Sequence, residues 1–156
     1  QSLIELSLFR QGEREINMNE ELYEEIQVGF HLPAFQAPPV SRQALAIYCG
    51  ASGDHNPIHV DIDFAKSAGL DDVIAHGMLV MAYAGRMLTN WMPQSSIKNF
   101  DIRFLNMTEI GEKICSNGVV REKFIEANQK FLVVEVLAKG QDGLSKLSGS
   151  ATLSFP

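Results

Sequence analysis

The chain has 156 residues, with 13 Lys and Arg against 19 Asp and Glu for a net charge of −6. That length accommodates about one domain, large enough to bury a core without disulfide or metal staples. The acidic balance argues against the broad basic face of a nucleic-acid binder, and 46% hydrophobic with 21% charged residues exclude disordered and collagen-like chains.

In chain order, Leu3, Ile4, Leu6, Leu8 and Phe9 suggest a short strand, and a polar stretch follows through Glu20. Glu5 and Arg10 interrupt that run, so no signal peptide is expected. Residues 23–29 suggest a turn and a short extended segment before Pro33. Pro38 and Pro39 stop what precedes them, and Ser41 is placed to cap a helix over 42–51 with Ala44, Leu45, Ile47 and Tyr48 as its apolar face. Gly53 and Pro57 end it. A second short helix is expected over 61–68, closing near Gly69. The uncharged stretch 73–85 is too short for a bilayer and opens a buried helix over 75–91. Its mixture of small residues (Gly77, Ala82, Ala84, Gly85) and bulky ones suits a helix wrapped closely by other backbone.

After Pro93 the pattern turns to strands. Residues 100–104 alternate apolar and polar, 114–125 and 131–139 are β-branched or aromatic in bias, and 147–155 alternate again after the turn residues Gly140-Gln141-Asp142-Gly143. The fold class expected is α+β, a single domain with helices first and an antiparallel sheet to wrap one of them. Cys49 and Cys115 are too few for a disulfide framework, lack metal spacing and fit a reducing compartment. The expected location is the cytoplasm, with neither membrane nor nucleic acid as a partner.

The segment densest in chemistry is Gly53-Asp54-His55-Asn56-Pro57-Ile58-His59. Pro57 fixes its own φ and biases Asn56 towards extended backbone, so a carboxylate at Asp54 and an imidazole at His59 sit on a turn of set shape. Such a pair can hold one water and move protons in both directions. The plainer alternative is an Asx turn in which Asp54 and Asn56 cap local amides. A metal site is not expected. His55 and His59 would share a face only on a continuous helix, which Pro57 breaks, and Asp61-Ile62-Asp63-Phe64 lacks the residues of a calcium loop. At the start of the apolar helix, Gly77 leaves room for a ligand oxygen at an unpaired, positively polarised amide. The alternative is that Gly77 only relieves crowding and His76 caps locally. Cys49, inside the first helix, reads as a packing residue rather than a nucleophile.

The stretch Tyr48–His59, together with Ile74-Ala75-His76-Gly77-Met78 and Arg103-Phe104, resembles the hydratase motif of MaoC-like, R-specific enoyl-thioester hydratases and dehydratases. The resemblance covers about residues 22–156 and leaves 1–21 as an extension of unassigned role. It implies a hot-dog fold, with an antiparallel sheet around a long central helix, and dimers whose sheets join. It implies Asp54 and His59 as the catalytic pair, the Gly77 amide as donor to the thioester carbonyl, and Asn56 as support for the loop. No cofactor is implied. The substrate would be an acyl-CoA or acyl-carrier-protein thioester, with the net charge favouring CoA, and the assembly a homodimer or a heterodimer. Some members carry a Ser where this chain has Gly85, which bears on acyl-chain preference. A hot-dog thioesterase and a subunit of a hetero-oligomeric dehydratase are the alternatives. Lys66, Arg86, Lys98 and Arg103 are candidate phosphate contacts or ordinary surface charges.

Overall fold

The structure is a computed structural model and describes residues 22–155. The expectations for residues 1–21 lie outside that range. The described chain begins with a helical turn over 22–25 that buries Tyr23, whose hydroxyl is shared between the carbonyls of Phe124 and Phe131, each at 3.2 Å. A turn at Gly29 follows, and His31 bridges to Val119.

Strand β1 (Phe35–Gln36) leads past Pro38-Pro39 to helix α1 (Arg42–Ser52), where Ser41 accepts from the Ala44 amide as N-cap and Gly53, at φ 77°, closes the C-terminus in the left-handed region. A single 3-10 turn (Pro57–His59) precedes helix α2 (Ile62–Ser67), capped by the Asp61 carboxylate on the amides of Asp63 and Phe64. Helix α3 (Gly77–Trp91) is the longest among the described residues. Strands β2 (Ile97–Phe104), β3 (Cys115–Glu126), β4 (Gln129–Lys139) and β5 (Ser145–Phe155) then complete an antiparallel sheet of order β1-β3-β4-β5-β2. Helices α1–α3 lie within a residue or two of the expected spans, and β2–β5 overlie the four expected strand segments, with β2 starting three residues earlier. The two-residue β1 carries no readable pattern of its own and exists through its pairing with Ser116 and Cys115.

Two apolar clusters hold these elements. In the larger, Val80, Ala84, Met87 and Leu88 of α3 meet Val120, Leu132, Val134, Val136, Leu147, Ala151 and Leu153 of the sheet. Ala84 is fully buried, so its small side chain allows the close approach that a wrapped helix requires. The sheet curls around α3 in a hot-dog fold. The smaller cluster, with Leu45, Ala65, Val73, Ala75 and Leu79, fastens α1 and α2 against the first turn of α3. This second cluster brings the polar loop after α1 to the start of the buried helix. Gly85 lies over Phe100, whose ring would be 3.6 Å from a Cβ there. Phe104, which the alternation of β2 leaves undistinguished, is 48% exposed. Among the described residues no helix is long and apolar enough to cross a membrane.

Candidate active site

The loop after α1 is built from successive side-chain-to-backbone bonds. Asp54 Oδ1 accepts from the Asn56 amide at 3.3 Å, and Asn56 Oδ1 accepts from the Ile58 amide at 3.1 Å, capping the 3-10 turn. The Asx-turn alternative therefore describes real contacts. These same contacts fix where Asp54 and His59 stand. Asp54 uses one carboxylate oxygen locally and is exposed, as is Asn56.

His59 is half-buried, and its Nδ1 lies 2.7 Å from the carbonyl oxygen of Ile74. A carbonyl can only accept, so Nδ1 is the donor in this contact and Nε2 is the ring nitrogen left for other partners. His76, 1% exposed, places Nε2 3.2 Å from the Asp54 carbonyl oxygen and by the same reasoning donates from Nε2. Its ring stacks on His59 at 3.8 Å between centroids, and the edge of Tyr48 meets it at 4.9 Å. His76 is thus not a local cap: it makes no side-chain capping bond to α3, and instead ties the Asp54 loop to the helix start. Burial holds its pKa below the usual histidine value and outweighs the backbone bond to Asp54, so the neutral form is favoured. Burial first, and the nearby Asp54 charge second, raise the Tyr48 phenol.

Gly77 is the first residue of α3, where an amide has no intrahelical partner and the helix dipole is positive. A Cβ on Gly77 would stand 3.2 Å from Cδ1 and Cε1 of Phe104, tighter than ordinary packing. The segment before it is pinned on both sides: the Ile74 amide donates to Ile58 O at 3.3 Å and the Ala75 amide to Thr108 O at 2.8 Å. A cleft of about 190 Å³ opens here, lined by His59, Gly77, Phe104, Thr108 and Lys146 among others. It is smaller than the roughly 300–1,000 Å³ of sites for whole drug-sized ligands, and suits the reacting end of a larger molecule.

The structure thus brings together Asp54, His59 and, through His76, Gly77, with Asn56 supporting the loop. In the sequence His76 reads only as a possible local cap, signalled by the His-Gly pair opening the helix, and Thr108 and Lys146 carry no local signal. Ligand atoms of Asp54, His59 and His76 all lie within 4.8 Å of one another, making them the set among the described residues that could share a cation. One nitrogen of each histidine is already engaged by a carbonyl. Cys49 is half-buried in α1 and free. Of the candidate phosphate contacts, Lys98 donates to Ser95 O at 2.9 Å and Arg86 lies over the Phe35 ring at 5.8 Å. Neither of them, nor Lys66 nor Arg103, lines the cleft.

A family model described as the MaoC like domain matches residues 26–141, which include Asp54, Asn56, His59 and Gly77. The chain belongs to the MaoC-like family. It is similar to the (R)-specific enoyl-CoA hydratase of Rhodospirillum rubrum, 29% identical over 107 residues that make up 65% of this chain and 73% of that protein. It is also 33% identical over 118 residues to the fatty acid synthase subunit beta of Gibberella zeae, covering 74% of this chain but only 5% of that protein's length. The solved structure of the R-hydratase PhaJ1 from Pseudomonas aeruginosa superposes with a TM-score of 0.75, at 24% identity over 86% of this chain and 84% of that one. That likeness concerns the fold. The MaoC-like match ends in the turn before β5, the strand that carries Lys146 and pairs with β4.

Proposed function

We propose that this MaoC-like chain interconverts trans-2-enoyl thioesters and (3R)-3-hydroxyacyl thioesters. The observation that carries the reading is a carboxylate, Asp54, and an imidazole whose Nδ1 is engaged by a backbone carbonyl, His59, grouped within 4.8 Å and joined through His76 to the free amide of Gly77. In the hydration direction the thioester carbonyl oxygen accepts from the Gly77 amide. Asp54 and His59 hold a water, and His59 Nε2 takes its proton as the oxygen bonds to the β-carbon. The π pair moves to the thioester as an enolate, whose oxygen the helix-terminal amide stabilises. The imidazolium then returns the proton to the α-carbon, closing the balance of one water added across the double bond. Dehydration is the reverse.

The carrier we infer is CoA rather than an acidic carrier protein, because the chain itself has a net charge of −6. We take residues 22–156 as the domain, since Tyr23 is already tied to β3 and β4. Cys49 and Cys115 are free, which suits a reducing cytoplasm. We also infer a homodimer. β2 pairs with β5 alone among the described strands, and Met78, Phe104, Leu105 and Met107 are exposed around the cleft. An unpaired edge beside an apolar rim is what a second copy would cover.

The test is hydration of crotonyl-CoA, followed by loss of its enoyl absorbance. Asp54→Asn and His59→Gln are expected to lower turnover by orders of magnitude with unchanged circular dichroism. A near-normal rate in either variant removes that residue from the mechanism, and release of free CoA in place of hydration would favour a thioesterase.

A further inference from the structure

The cleft wall carries polar groups that the acid/base chemistry leaves unused. Thr108 is 2% exposed and lines the cleft, yet its hydroxyl has no hydrogen-bond partner among the described residues. Lys146, 4% exposed on the same cleft, gives one N–H to Met107 O at 2.9 Å and one to Glu112 Oε1 at 2.7 Å. An ammonium has three, so one remains. Asn106, also on the cleft, gives its Nδ2 to Ser145 O at 2.8 Å and keeps its carbonyl oxygen.

Position and charge together narrow what would bind. The Thr108 carbonyl is held 2.8 Å from the Ala75 amide, and Gly77 is two residues further on, at most about 7 Å of chain away. A thioester whose carbonyl rests on the Gly77 amide therefore lies in the same cleft as Thr108. The Lys146 charge is balanced by Glu112, so the wall offers hydrogen bonds without a net positive charge. A plain alkyl chain would leave the Thr108 hydroxyl unpaired, as it stands in the free chain, and a carboxylate would lose its hydration without gaining a free cation.

We propose that this wall recognises a neutral oxygen function, a hydroxyl or keto group, carried on the substrate's acyl chain beyond the reacting carbons, with Thr108 as the residue that reads it. The proposal rests on the enoyl-thioester reading above and names the acyl class of that same site. Sites that hydrogen-bond a substrate oxygen reject analogues lacking it more strongly than apolar pockets reject an added one.

The experiment compares crotonyl-CoA and trans-2-hexenoyl-CoA with their terminal-hydroxyl counterparts, and with the matching dicarboxylic enoyl-CoA, by turnover and by calorimetric Kd. Thr108→Val, which keeps the side-chain shape, and Thr108→Ser, which keeps the hydroxyl, complete the set. The expected result is a roughly ten- to hundredfold preference in kcat/KM and Kd for one of the hydroxylated chains over its plain partner. That preference is lost in Thr108→Val and retained in Thr108→Ser. Without ligand, Thr108→Val is expected to melt at or above the wild-type temperature, because it removes an unmatched polar group. A plain or dicarboxylic chain that binds as well, a preference that survives Thr108→Val, or a lowered melting temperature overturns the proposal. If no enoyl thioester turns over but the Kd preference stands, the hydration reading falls and the acyl preference remains.

Discussion

His76 shows how one side chain couples the two halves of the site. It is buried, stacked on His59, bonded to the Asp54 backbone and followed directly by Gly77. Its neutral form is favoured in the fold, whereas in the unfolded chain it titrates at about 6.5. Below that pH the unfolded state binds more protons, so stability is present at neutral pH and is lost as pH falls through 6.5 towards the lowered native value. The melting temperature is expected to drop between pH 7 and pH 5, with a shallower drop in His76→Asn, measured by thermal denaturation across that range. Gly77 gives a second prediction at this scale. In Gly77→Ala the methyl meets the Phe104 ring at 3.2 Å, but that ring is half-exposed and can turn, and Ala is the better helix former. Thermal stability should hold within a few degrees while hydration falls by about tenfold or more, because the methyl crowds the amide proposed to hold the thioester oxygen. The Asp54–His59 turn was legible in the sequence because Gly53, Asn56 and Pro57 shape it through local covalent geometry. The tie between His76 and Asp54 spans 22 residues. Thr108 and Lys146 meet the cleft from still more distant segments, so no local pattern announces them.

Among the elements, α1, α3 and β3–β5 were readable because their periods of 3.6 and two persist over many residues and their ends carry caps or turn residues. The Gly53 cap matters beyond stability, since it sets the exit direction of the loop bearing Asp54. β2 shows what periodicity misses. Its alternation is visible, but the inward or outward fate of Phe104 depends on where the start of α3 lies. The β2–β5 pairing also depends on Gly149, where a Cβ would stand 2.0 Å from the Asp101 backbone oxygen. Backbone cannot yield as a flexible side chain does. Gly149→Ala is expected to cost about 3 kcal/mol or more, or to prevent folding, as read by urea denaturation.

Among the described residues a curled sheet wraps helix α3 and leaves the candidate site groups at one rim, beside exposed apolar side chains. Dimer formation through that rim predicts a particle of twice the chain mass in sedimentation, with Met78 and Met107, 52% and 59% exposed in one chain, slow to react with peroxide at concentrations where the dimer forms. A stable monomer with both methionines reactive would contradict the homodimer. In the proposed reaction Asp54, His59 and the Gly77 amide add water to an enoyl thioester from one fixed face. The stereochemistry of the product from crotonyl-CoA tests this most directly. The expected product is (3R)-3-hydroxybutyryl-CoA with no loss of the thioester; the (3S) product, or free CoA and crotonate, would overturn the proposed reaction.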